Sequence, residues 1–165
     1  MMRIPFLKRP PREFAIAPLQ PGSGHTLAEL HREDFARPWS DGEFEQLLAE
    51  DTVFGFAGME IGKGGTRPVG FVLARIAAGE AEILTLAVAR SHRRAGLGRQ
   101  LMDAVLRELH AARAEALFLE VDETNSGAIA LYRRLGFHQV GKRPRYYKAA
   151  DDSRTGALVM RRDLR

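Results

Sequence analysis

"LTLAVARSHRRAGLGRQLM", Leu84 to Met102, runs from an apolar, strand-like segment through a cluster of arginines and two glycines into a helix-forming stretch. Downstream, Leu101, Val105, Leu106 and Leu109 fall at i, i+4, i+5 and i+8, one face of a helix from about Gly98 to Arg113. "ALFLEV", Ala116 to Val121, is an almost unbroken apolar run of strand length, as expected of a strand covered on both faces. With "AEILTLAVA", Ala81 to Ala89, ahead of the helix, the stretch reads as a strand–helix–strand crossover.

Outward from this unit the chain supplies further strands and helices. "FAIAPLQ" (Phe14 to Gln20) reads as a first strand, and "HTLAELHREDF" as a helix carrying Leu27, Leu30 and Phe35. Ser40 and Glu43 have capping-box spacing ahead of Phe44, Leu47 and Leu48. "DTVFGFAGMEI" and "PVGFVLARIA" form a hairpin around "GKGGTR". After the crossover, Asn125 or Thr124 caps a helix, "SGAIALYRRL", that ends at Gly136. "FHQV" and "ALVMRRDL" make two last strands, joined by the basic segment "GKRPRYYKAADDSRTG". The class is α/β (α+β mixed): hairpins together with at least one strand–helix–strand crossover argue a mixed sheet with helices on its faces. Residues 1–12 read as a flexible tail and 13–165 as one domain.

Composition narrows the function. The chain has 165 residues and no cysteine, which excludes a disulfide framework, a thiolate metal site and a cysteine nucleophile. Its five histidines show no paired ligand spacing, so no metal is expected. No apolar run approaches a membrane span or a signal peptide, and a cytoplasmic location is the expectation. The net charge of +4 comes from interspersed charges, 25 basic against 21 acidic, and does not by itself predict nucleic-acid binding.

Two segments carry candidate chemistry. The glycine turn before the helix presents backbone N–H groups without helical partners at the positive end of the dipole, where an anion fits. Gly96 and Gly98 let it approach, and Arg93, Arg94 and Arg99 add charge; a purely steric strand-to-helix turn is the competing reading. Neither a dinucleotide fingerprint nor a P-loop fits, because Leu101 stands where a third glycine belongs and Lys63 is followed by Gly64. In "LFLEVDETNSGAIALYRRLGF", Glu120 lies inside an apolar strand, where a carboxylate is either paired with a cation or held as a general base. Tyr132 sits on the following helix as core residue or catalyst.

Together, "LTLAVARSHRRAGLGRQLM" and "LFLEVDETNSGAIALYRRLGF" resemble the GCN5-related N-acetyltransferase (GNAT) family, and within it the RimI-type enzymes that acetylate protein N-terminal α-amines. The Arg-x-x-Gly-x-Gly pattern from Arg93 to Gly98 matches the family's acetyl-CoA signature. "FARPWSDGEF" looks like the segment ahead of the substrate cleft, and "KRPRYY" resembles the Arg-x-Tyr-Tyr loop of RimI-type members. The resemblance implies the GNAT fold, a central mixed, mostly antiparallel sheet of about six to seven strands flanked by helices on both faces with a strand–helix–strand coenzyme-binding core, and acetyl-CoA as cosubstrate without a metal. Leu86, Ala87 and Val88 would then present backbone to the pantetheine arm, and Arg93, Arg94, Ala95, Gly96, Leu97, Gly98 and Arg99 would form the pyrophosphate loop. Asn125 would bond the coenzyme's amide chain, Glu120 would serve as general base and Tyr132 as general acid. Trp39, Tyr146 and Tyr147 would line the acceptor cleft, or be ordinary packing.

The implied acceptor is a protein N-terminus, by analogy the alanine of a ribosomal protein. A small-amine acetyltransferase and a non-catalytic acyl-CoA-binding module are the alternatives. The resemblance leads to a monomer or weak dimer without membrane or direct nucleic-acid partners. RimI-type chains carry an acidic residue or pair just before the last strand, where this chain has Thr155-Gly156, with Asp151 and Asp152 displaced. The basic run Lys142 to Arg145 reads as a solvated face or as a contact for an acidic partner.

Overall fold

The computed structural model describes residues 10–62, 66–148 and 153–165, the side chains of 146–148 excepted. Its elements follow the expected order: β1 (Phe14–Pro18), α1 (Gly24–Asp34), α2 (Asp41–Leu48), β2 (Val53–Glu60), β3 (Gly70–Ala77), β4 (Glu80–Val88), α3 (Leu97–Ala111), β5 (Ala116–Asp122), α4 (Ser126–Arg134), β6 (His138–Lys148) and β7 (Arg154–Asp163). The strands form one seven-stranded sheet in the order β1-β2-β3-β4-β5-β7-β6. Every neighbouring pair is antiparallel except β4 and β5, which the α3 crossover makes parallel.

Local chemistry explains the helix ends. Ser40 Oγ accepts from the Glu43 N–H while the Glu43 carboxylate accepts from the Ser40 N–H, so the capping box forms and starts α2. The Asn125 side chain accepts from the Ala128 N–H and starts α4. Gly136 follows α4 at φ +88°, the left-handed end expected of a glycine there.

The helices cover both faces. Leu97, Leu101, Met102, Val105 and Leu109 of α3 are buried with Leu117, Leu119 and Val121 of β5 and with Ile129 and Tyr132 of α4. Burying each such aliphatic side chain contributes about 1.5–3 kcal/mol. On the opposite face, Leu27, Ala28 and Leu30 of α1 and Phe44 of α2 pack on Phe71, Leu73 and Ala87. No helix among the described residues is long and apolar enough to cross a membrane.

Two boundaries differ from the sequence reading. The basic segment expected as a loop is strand as far as Lys148, and Thr155 and Gly156 lie inside β7 rather than ahead of it. The segment pairs with a partner strand despite Pro144 because it carries irregularities in register between Gln139 and Gly141 and between Arg143 and Tyr147. Neither is visible in hydrophobic alternation. Asp151 and Asp152 lie outside the described residues.

Candidate functional site

The sheet is split at its centre. Parallel pairing between β4 and β5 runs only from Glu80↔Ala116 to Glu82↔Phe118. Beyond it, β4 carries a bulge: the register with β3 jumps between Leu73↔Thr85 and Ala74↔Ile83, leaving Leu84 as the extra residue. A bulge bends and twists its strand, which turns the rest of β4 away from β5. Ala89 N–H donates to Val69 O on the β3 side. Backbone direction alternates along a strand, so the N–H and C=O of Leu86 and Val88 face the open side, and those of Ala87 face β3.

The arginine–glycine loop leads from this open edge into α3. Gly96 precedes the helix at φ +82°, in the left-handed region that a glycine adopts without strain, and no side chain caps the helix. Within the helix the first backbone bond runs from Gln100 N–H to Gly96 O, which leaves the N–H groups of Leu97, Gly98 and Arg99 without helical acceptors. Leu97 anchors the turn. A Cβ on Gly58 would fall 2.5 Å from Leu97 Cδ1, and one on Gly70 2.8 Å from Leu97 Cδ2, so the side chain occupies space two glycines leave on β2 and β3.

The arginines divide. Arg93 pairs with Asp34 at the end of α1. Arg94 and Arg99 are exposed and make no ion pair among the described residues. Arg94 holds a left-handed backbone at φ +59°, unusual outside glycine.

Glu120 stands on β5 beyond the point where β4 departs, its Oε1 3.0 Å from Arg143 Nε on β6. Of the two readings of this carboxylate, a cation partner or an isolated base, the structure supplies the cation. In the sequence Arg143 stands out only as part of a basic run. The pair joins residues 23 positions apart in sequence and across β7, and no local pattern announces it. Tyr132 is buried at 7% exposure beside Phe137, and burial pushes its phenol up to about 12. Its hydroxyl makes no hydrogen bond among the described residues. Asn125 spends its Oδ1 on capping α4 and keeps its amide N–H₂ for other partners.

Trp39 is partly buried. Its ring stacks on His31 at 5.0 Å and tilts against Phe44 at 5.5 Å, and its backbone N–H donates to His31 Nδ1. It therefore packs into the α1–α2 aromatic cluster. The backbones of Tyr146 and Tyr147 belong to β6, and their side chains lie outside the described residues. Opposite Thr155 and Gly156 stand the carboxylates of Asp122 and Glu123, which the sequence reading did not single out. Burial works to raise Asp122, but bonds from the Thr124 N–H and from the Thr155 and Thr124 hydroxyls outweigh it and hold its carboxyl below the usual range. Lys142 and the Gly156 N–H lower Glu123 in the same way.

A hollow of about 220 Å³, lined by Arg75, Ala77, Glu80, Glu82 and Phe118, lies at the paired end of β4 and β5, away from Val88 and Glu120. No group of three or more His, Cys, Asp or Glu side chains among the described residues is arranged to hold a metal ion.

A family model described as "Acetyltransferase (GNAT) family" matches residues 24–137. The [ribosomal protein bS18]-alanine N-acetyltransferase of Escherichia coli (strain K12) is 32% identical over 140 residues, covering 85% of this chain and 88% of that one. A crystal structure of the E. coli ribosomal-protein-S18-alanine N-acetyltransferase superposes with TM-score 0.83 at 28% identity, over 92% of this chain and 94% of that one. Arabidopsis thaliana NAA60, crystallised in complex with acetyl-CoA, shares the fold with TM-score 0.82 at 19% identity, over 92% and 98% of the two chains. A longer relative in Mycobacterium leprae (strain TN) is 35% identical over 161 residues, 90% of this chain, which spans 40% of that relative's length.

Proposed function

The chain belongs to the GNAT family of acetyltransferases and is an acetyl-CoA-dependent N-acetyltransferase; from that premise we propose that it acetylates the N-terminal α-amine of a protein, an alanine-initiated ribosomal protein being the first candidate. The observation that carries the reading is the split between β4 and β5, with the uncapped N-terminus of α3 at the end of β4 and the Glu120 carboxylate on β5. The similarity to the E. coli bS18-alanine enzyme over most of both chains supports the choice of acceptor.

The cradle suits a phosphorylated coenzyme on grounds of this chain's own packing. A Cβ at Gly98 would meet only an ordinary contact, 3.5 Å from Leu131, so the protein's interior does not require a glycine there. A ligand approaching the backbone does. The N–H groups of Leu97, Gly98 and Arg99 would hold the pyrophosphate with Arg94 and Arg99 at the rim. Ala95 and Gly96 would shape the turn, and Arg93 would act from its place beside Asp34. The open edge at Leu86 and Val88, with Ala87 between them, would receive the pantetheine arm, and the Asn125 amide would bond its far end.

Acetyl-CoA supplies an acetyl group activated as a thioester. Glu120, exchanging its contact with Arg143 for the acceptor's ammonium, takes a proton from it, directly or through water, because an α-amine of pKa about 7.7–8.0 is nucleophilic only when neutral. The Val88 N–H, directed at the open edge, donates to the carbonyl oxygen as it gains charge. Tyr132, still protonated at neutral pH, gives its proton to the departing sulfur.

Mass spectrometry after incubation with acetyl-CoA and peptides beginning with alanine, serine or glycine tests the proposal. One added acetyl group on the α-amine of the alanine peptide is the expected product. Turnover confined to free amino acids, polyamines or amino-sugars would overturn the acceptor, and coenzyme binding without turnover on any amine would overturn the catalytic reading.

A further inference from the structure

Helix α1 ends on Glu33 and Asp34, at the negative end of its dipole, where acidic side chains are disfavoured. Both are engaged by the loop between β4 and α3. Glu33 Oε2 accepts from the Arg90 N–H at 3.0 Å, the Arg90 guanidinium donates to the Glu33 carbonyl, and Asp34 pairs with Arg93. The other side of the loop is tied as firmly. The Arg12 guanidinium donates to Ser91 O, and His92 Nε2 lies 2.7 Å from Glu60 Oε2 at the end of β2.

Four consecutive residues, Arg90 to Arg93, are thus each held by a different group, from α1 on one side and from β2 and the segment before β1 on the other. The ties stop at Arg94, whose backbone is left-handed. Such a conformation persists only where its surroundings over-determine it.

We propose that Glu33 and Asp34 are positioning residues for the coenzyme: through Arg90 and Arg93 they set the loop, so that Arg94 and the open N–H groups of α3 stand ready before the coenzyme arrives. This rests on reading the N-terminus of α3 as the coenzyme cradle. Arg93 then acts through Asp34 rather than as a phosphate ligand. The sign of the effect separates positioning from simple charge. Removing two carboxylates beside a polyanion's site should tighten binding if only the field mattered. Positioning requires the opposite.

The test compares the wild type with the Glu33→Gln/Asp34→Asn variant, measuring the acetyl-CoA dissociation constant by calorimetry, kcat at saturating acetyl-CoA and the melting temperature. The dissociation constant is expected to rise about fivefold or more, with kcat changed less than about twofold and Asp34→Glu restoring most of the affinity. Arg93→Ala is expected to weaken binding in the wild type and to add nothing in the Asp34→Asn background. Unchanged or tighter binding in the double variant would overturn the inference, as would an Arg93→Ala effect that persists undiminished without Asp34. Gly98→Val serves as the control. If it weakens binding and the carboxylate variants do not, the positioning role alone falls; if it leaves affinity intact, the cradle falls and the inference with it.

Discussion

The Cβ that Gly98 lacks would lie 3.5 Å from Leu131 Cδ2, its one contact within 4 Å beyond its own helix among the described residues. An alanine therefore fits the protein, and in the first turn of a helix it replaces a residue of poor helix propensity. Gly98→Ala is expected to raise stability by up to about 1 kcal/mol while weakening acetyl-CoA binding. Thermal melts and calorimetry on the same samples check both signs. A stability gain with unchanged affinity would remove the pyrophosphate from this turn.

Glu120 and Tyr132 should respond differently to conservative replacement. Tyr132→Phe removes a hydroxyl without a hydrogen-bond partner among the described residues, so stability at neutral pH should move little. The acetylation rate should fall by about 10²–10⁴ if that phenol protonates the thiolate. Glu120→Gln should lower the rate over a similar range and leave coenzyme affinity near the wild-type value. Steady-state kinetics with a fixed alanine peptide, together with coenzyme titrations, separate the two roles from a packing defect.

The tyrosine also carries an alkaline signature. Its folded value of about 12 stands above the ordinary tyrosine value of 10.0, so folding favours the protonated phenol. That stabilisation is complete below pH 10 and is lost as pH rises from 10 through 12. Urea midpoints recorded between pH 9.5 and 11.5 should fall more steeply for the wild type than for Tyr132→Phe.

Leu97 and Gly58 were not paired by any sequence pattern, and they show where legibility ended. The strand–helix–strand order, the α2 capping box and the Gly136 helix end all rest on neighbours within a few positions, and all three are present in the fold. The β4 bulge at Leu84 and the order β5-β7-β6 depend on partners far along the chain, and hydrophobic alternation is blind to both. For the same reason the Arg–Gly loop announced itself locally, whereas the contacts of Arg93 with Asp34 and of Glu120 with Arg143 became visible only once the sheet had closed.

The Leu97 seat gives its own test. Gly58→Ala places a methyl 2.5 Å from Leu97 Cδ1 inside a filled interior and should destabilise by about 1–3 kcal/mol. Shortening Leu97 to valine should recover part of that loss in the double variant, although Leu97→Val alone is itself destabilising. Urea denaturation of the four proteins completes the cycle. Additive losses would show that Leu97 does not bear the clash.

His31 should make the fold sensitive to mild acid. It is 2% exposed, stacked on Phe35 at 3.9 Å and on Trp39, and its Nε2 has no hydrogen-bond partner among the described residues. Burial pushes its imidazole down to about 4, against an opposing pull from Glu43. A histidine whose folded value lies below its unfolded value of about 6.5 is neutral in the fold and charged in the unfolded chain between the two. In that window the unfolded state binds more protons, so stability falls as pH drops from 6.5 towards 4 and is unaffected above. Between pH 7.5 and 5 the loss from this one group amounts to about 2 kcal/mol. His31→Gln should start less stable, because it breaks the aromatic stack, and should then lose less over the same interval. Urea midpoints of the two proteins at pH 7.5, 6 and 5 check this. Parallel curves would mean that His31 is hydrated in solution, and the α1–α2 loop carrying Trp39 would then owe its position to Phe35 and Phe44 alone.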